Sequence, residues 1–139
     1  MYSPLRHTFG RPRHVLTLPA FHKSHVTTHS ASLLLHWLFD TLQLRRVQWF
    51  AHAANAPSIR AAERLGFSLE GILRWDRVLP LGKEGERLAR WDEEEGRGLG
   101  RHSACLAMGW DEWRKEKRGR VEGLVAREVK KRTVADLAR

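Results

Sequence analysis

The stretch "HKSHVTTHS" (residues 22–30) puts imidazoles, an ammonium group and hydroxyls where a loop turns into a helix. Such a junction presents unpaired backbone N–H groups and the positive end of the helix dipole, a geometry that binds phosphates. His22, Lys23, Ser24, His25, Val26, Thr27 and Thr28 are therefore candidate anion-binding residues, and their extent suits a pyrophosphate. The loop lacks glycine, and an ordinary helix capped by Thr27 or Thr28 accounts for the same residues. A second stretch, "NAPSIRAAERLGF", begins with a polar amide at Asn55, followed three residues later by Ser58. Asn favours turns and helix N-caps, so capping is the plain explanation for both.

Other reactive side chains carry less. His25 and His29 are four apart, but His36 falls on a different helical face and neither Cys nor carboxylate completes a set, so no metal is expected. The lone Cys105 sits in an apolar run without a neighbouring His, as a buried structural thiol would. "WDEEEG" (residues 91–96) is an acidic loop, solvated or attractive to a basic substrate.

Positioning these groups requires a fold. At 139 residues and 42% apolar content, the chain suggests one domain with a modest core. No apolar run approaches the roughly 18 residues of a membrane span, so no membrane partner is expected. A single cysteine excludes an intrachain disulfide and fits a reducing, cytoplasmic setting. The N-terminus lacks the apolar core of a secretory signal, while its Arg content leaves organelle targeting open. The net charge of +9 favours an anionic partner, either a phosphorylated cofactor or a nucleic acid. Residues 114–139 hold ten Lys or Arg against four acids; a solvated helix face explains them, and a nucleic-acid contact is the alternative.

Periodicity orders the elements. Residues 1–14 read as irregular and 15–18 as a short strand. Residues 22–30 read as a loop turning into a helix capped by Thr27 or Thr28, which runs to about Thr41, with Leu34, Trp37, Leu38 and Leu42 as its buried stripe, widened by Leu33 and Leu35. "RVQWFAH" reads as a strand and 57–65 as a short helix started by Pro57 and stopped by Gly66; Ile59, Ala62 and Leu65 face inward. "FSLEGILRWDRVLP" reads as a long strand bulged at Gly71, and 81–102 as a long mobile loop. "SACLAMGW" is the last strand, with Ala104, Leu106 and Met108 on one face; "DEWR" makes a turn of helix, and a basic amphipathic helix begins at Gly119. Alternation of strands and helices implies parallel pairing, and the last two strands form a hairpin.

The run from "LPAFHKSHVTTHS" through "RVQWFAHAANAPSIRAAERLGFSLEGILRW" resembles the GNAT superfamily of acyl-CoA N-acyltransferases, closest to the branch of ribosomal-protein N-terminal acetyltransferases. Asn55, Ser58, Gly66, Phe67, Glu70 and Gly71 stand at that branch's spacing. The resemblance implies an α/β (α+β) fold with a mixed sheet and flanking helices, and acetyl-CoA as co-substrate. It implies backbone N–H groups of 22–28 on the pyrophosphate and Asn55 on the pantetheine arm, in a gap between two splayed parallel strands. Ser58 would assist the departing thiolate; the tyrosine that other members use would fall at Ala62. A base from the strand after Gly66 and Phe67 would fall near Asp76, although the matching place is Arg77, which cannot act as a base.

Two departures stand out. The loop's usual glycine places hold His25 and Thr27, and few residues precede the loop, so the N-terminal part of the domain is expected to be missing. The expected organisation is 1–14 irregular, 15–113 a partial acetyltransferase domain and 114–139 a basic helical extension. The expected function is acetyl transfer to a primary amine, of a protein N-terminus or a small molecule. A non-catalytic remnant binding coenzyme A or a protein, and a nucleic-acid-binding module, are the alternatives. A half sheet also exposes an edge open to self-association or a protein partner.

Overall fold

The computed structural model describes residues 9–10, 26–86 and 98–126. Its strands are β1 (Phe9–Gly10), β2 (Arg46–His52), β3 (Ser68–Val78) and β4 (Gly100–Gly109), hydrogen-bonded in the order β1-β2-β4-β3. The helices are α1 (Val26–His36), α2 (Ala56–Leu65), α3 (Trp110–Glu112) and α4 (Arg118–Val125). The fold is mixed, as expected: β1 pairs parallel with β2, and β3 pairs antiparallel with β4. β1 falls in the segment expected to be irregular, while the strand expected at 15–18 lies outside the described residues. The chain divides into two units, Met1–Val47 with Met108–Arg139, and Gln48–Ala107.

In the first unit α1 runs on through a π-helical turn, Trp37–Thr41, and α3 runs through another, Trp113–Lys117, into α4. The helix expected from Gly119 is thus the continuation of one that starts at Trp110. Residues 127–139, where the rest of that basic helix was expected, lie outside the described residues. Thr27 and Thr28 lie inside the first turn of α1 rather than capping it. The buried face of α1 also differs from the expected stripe. Leu35, Leu38 and Phe39 are buried with Thr28 and Ser32, whereas Leu33 is 73% and Trp37 51% exposed. With 33–35 and 37–39 apolar all round, periodicity had no phase to read. The wider π turn then shifts the residues after it by one extra position around the helix.

The core of this unit is Leu35, Leu38, Phe39, Leu44, Val47, Met108, Trp113 and Val121. Trp113 stacks on Phe39 at 5.2 Å between ring centroids and meets the edge of His36 at 5.0 Å. Its Nε1–H donates to Asp40 Oδ1 at 2.9 Å, so a large ring is buried without orphaning its one polar group.

The second unit packs α2 and the β3–β4 pair. Ala62, Leu65, Phe67, Ala104, Leu106 and Ala107 are buried; Ile59 is only half-buried. Gly66 ends α2 with φ of 100°, the left-handed conformation that a glycine takes without steric cost. β4 begins at Gly100, three residues before the expected start, because Glu86 and Gly100 exchange backbone hydrogen bonds of 2.8 and 3.1 Å. The loop expected over 81–102 is thereby closed at its base, and 87–97 lie outside the described residues.

β3 carries the expected bulge, between Leu69 and Gly71, and a second between Leu73 and Arg77. At the second, Trp75 adopts φ of 54°, a strained conformation for a bulky residue. Its backbone N–H donates to His102 Nδ1 at 2.8 Å, and its ring meets His102 edge-on at 4.8 Å. The same ring lies over Gly100 where a Cβ would sit, so only glycine fits there.

Candidate functional site

Asn55 leaves β2 through a tight turn. Its N–H donates to the His52 carbonyl at 2.8 Å, and its own carbonyl accepts from Ile59 N–H at 3.1 Å. Its side-chain Oδ1 accepts from Ser58 N–H at 3.1 Å and so caps α2. Capping was the alternative to a cofactor contact, and it occupies the oxygen of the amide. Among the described residues the Nδ2 hydrogens have no partner, which leaves them as donors for an outside carbonyl.

Ser58 sits in the first turn of α2, where Pro57 also stands without needing its missing N–H. The Ser58 hydroxyl oxygen accepts from Trp49 Nε1–H at 3.0 Å. Trp49 projects from β2, and its ring lies edge-on to buried Phe67 at 5.8 Å. Sequence reading singled out Asn55 and Ser58 but missed Trp49, although a tryptophan nine residues before the serine in a strand-then-helix run is a geometric hint.

An open cleft of about 520 Å³ lies beside Asn55, lined by His52, Ala54, Asn55, Pro57, Glu84, Gly85 and Glu86. Its walls come from the β2–α2 turn and from the segment that the Glu86–Gly100 bridge holds in place. His52 Nδ1 accepts from Ala54 N–H at 3.0 Å, so in the neutral ring the hydrogen sits on Nε2. That Nε2 is buried and has no partner among the described residues. Sequence reading passed over Glu84, Glu86 and His52, because the carboxylates sit in a glycine-rich run far from Asn55 in sequence.

Asp76 is placed otherwise. Its Oδ2 accepts from Ser103 Oγ at 2.7 Å and from Arg77 Nε at 3.3 Å, and it is not among the residues lining the cleft. Asp76 and Arg77 thus form an ion pair at the surface.

Of the candidate pyrophosphate residues, Val26, Thr27 and Thr28 form the start of α1, while His22, Lys23, Ser24 and His25 lie outside the described residues. The pairing of β2 with β1 engages Arg46 and Val47, its first two residues. The chain just after Gly10, on which the expected opening between the strands depends, lies outside the described residues. Among the described residues no group of His, Cys, Asp and Glu is set to hold a metal ion, and no helix is long and apolar enough to cross a membrane.

Comparison with known proteins adds the lineage. Residues 13–68 match the family model described as an acetyltransferase (GNAT) domain. A GCN5-related N-acetyltransferase from Brucella melitensis is 30% identical, with a TM-score of 0.59 over 78% of this chain and 41% of that one. A probable acetyltransferase of the GNAT family from Chromobacterium violaceum is 29% identical, with a TM-score of 0.62 over 78% of this chain and 46% of that one. The ribosomal-protein-S5-alanine acetyltransferase of Vibrio fischeri, 14% identical with a TM-score of 0.60 over 80% of this chain and 51% of that one, shares the fold. No curated protein matches. The chain thus spans less than half the length of the Brucella and Chromobacterium proteins. With the α/β arrangement and the Gly66 stop established, residues 13–68 match the GNAT acetyltransferase domain, and the chain has the fold of the GNAT acetyltransferases it resembles.

Proposed function

We propose that this chain transfers the acetyl group of acetyl-CoA to a primary amine, of a protein N-terminus or a small molecule, in the cytoplasm. The observation that carries the reading is the turn at Asn55, which sets a free amide donor and a hydroxyl at one end of α2 beside an open cleft. Acetyl-CoA, when bound, supplies the activated acyl group and a thiolate leaving group. Asn55 Nδ2 would donate to a pantetheine carbonyl, and Ser58 would hydrogen-bond the departing sulfur.

The amine forms the new C–N bond as the C–S bond breaks, and it must shed one proton. Glu86 is the better base than Asp76: it lines the cleft, its backbone is anchored to Gly100, and the Asp76 carboxylate is already engaged. Glu84 adds a second negative charge, which favours a cationic acceptor.

The β3 edge supports self-association. Among the described residues β3 pairs only with β4, and Leu69, Ile72 and Leu73 are each nearly half exposed along it.

The direct test is thiol release. Acetyl-CoA mixed with the whole chain and a primary amine should liberate free thiol in proportion to acetylated amine. Coenzyme A binding without release would instead leave a non-catalytic binder. Neither binding nor release, with salt-steep affinity for nucleic acid, would favour the basic module.

A further inference from the structure

We infer that Trp49 is a positioning residue for Ser58, holding the serine oxygen so that its hydroxyl hydrogen is left to meet an anionic sulfur. The inference rests on the proposed acyl transfer and adds a residue to it. A serine hydroxyl has one hydrogen to give and two lone pairs to receive. Indole Nε1–H can only donate, so at 3.0 Å Ser58 Oγ is the acceptor and its hydrogen must point elsewhere.

The common local outlet for a helical serine is a backbone carbonyl three or four residues back. Those carbonyls belong to Asn55 and Ala54, and each already accepts a backbone N–H, from Ile59 at 3.1 Å and from Ala56 at 3.0 Å, so a Ser58 hydrogen there would have to share an oxygen already engaged. The serine backbone is pinned by its bond to Asn55 Oδ1, and the indole is braced against Phe67. A donor bound to the oxygen also polarises the O–H and makes it a better donor in turn. The group this favours is a compact anion arriving at the first turn of α2, which the helix dipole also prefers. In the proposed reaction that group is the thiolate of coenzyme A.

The test uses the whole chain, with coenzyme A and its desulfo analogue as probes. Their dissociation constants are measured across the ionisation of a thiol, about pH 7 to 10. The parent should bind coenzyme A more tightly than desulfo-coenzyme A as the thiol ionises, by about tenfold, the worth of a charge-assisted hydrogen bond. Trp49→Phe keeps the ring against Phe67 and removes only the N–H. It should abolish that pH-dependent gain, as Ser58→Ala does, while affinity for the desulfo analogue stays within about twofold. Ser58→Thr, which keeps the hydroxyl, should restore part of the gain. Should Trp49→Phe fail to fold, the Trp49 indole N–H resonance of the parent carries the test. It should shift on adding coenzyme A above the thiol's ionisation and not on adding the desulfo analogue. A gain lost in Ser58→Ala but kept in Trp49→Phe overturns the inference and leaves the proposed function standing. A parent that binds neither probe overturns both.

Discussion

Two tryptophans do similar things in the two units and to different ends. Trp113 donates its indole N–H to Asp40 at 2.9 Å, and Trp49 donates to Ser58 at 3.0 Å. Asp40 is an acceptor only: Oδ2 also takes His36 Nδ1 at 2.9 Å and faces Arg118 at 3.8 Å. Nothing passes onward from it, and Trp113 is 1% exposed and stacked on Phe39. Ser58, by contrast, receives one hydrogen bond and keeps a hydrogen to give. A carboxylate under an indole closes a network and stabilises a core, whereas a hydroxyl under an indole leaves the network open at the surface.

The comparison breaks most visibly at Trp113. Trp113→Ala should cost about 3–5 kcal/mol, through a large cavity and the loss of its stacking, read as a shifted urea midpoint. Asp40→Ala should cost about 1–3 kcal/mol, because it leaves a buried indole N–H unpaired. Trp49→Phe should cost about 0.5–1.5 kcal/mol, since the phenyl ring still packs on Phe67. A Trp49→Phe loss as large as that of Trp113→Ala would mean that both are core residues and the contrast is wrong.

Acid should separate the two as well. Partial burial alone would raise the Asp40 pKa. Hydrogen bonds from Trp113 and His36, and then the charges of Arg118 and His36, outweigh it and hold the carboxyl below its usual value. A folded pKa below the unfolded one means that stability is present above the unfolded value, about 3.9, and is lost as pH falls through the folded value. The stability advantage of the parent over Asp40→Asn should therefore be constant near neutrality and shrink below about pH 4. An advantage that grew on acidification would contradict the assignment.

Smaller effects sharpen the cleft and the edge. Glu86→Gln should lower kcat for a primary amine by about 10²-fold or more while thermal stability barely moves. An unchanged pH–rate profile would remove Glu86 as the base. Ile72→Lys should weaken concentration-dependent dimer formation in sedimentation, and a parent that stays monomeric throughout would discard self-association through β3.

Much of the fold could be read from the residues alone, for reasons that vary by element. β2 is bounded as expected because Val47, Trp49 and Phe50 favour a strand and polar turns flank it. α2 is bounded because Pro57 and Gly66 carry their own start and stop chemistry. α1 is different: its existence was plain, but its apolar residues surround it, and a π turn then reset the register. The Asn55–Ser58 pair was visible because a cap is local. The cleft was not, because Glu84, Glu86 and His52 meet only through the hairpin register fixed at Gly100.

The account depends most on Asn55 as a donor to the thioester carrier, and one substitution separates that from capping. Asp caps a helix as well as Asn does but has no amide hydrogens. Calorimetric titration of the whole chain with acetyl-CoA should show saturable binding in the parent. In Asn55→Asp that binding should weaken by about tenfold with the thermal midpoint nearly unchanged. Equal affinity in the two proteins, or no saturable binding in the parent, would contradict it.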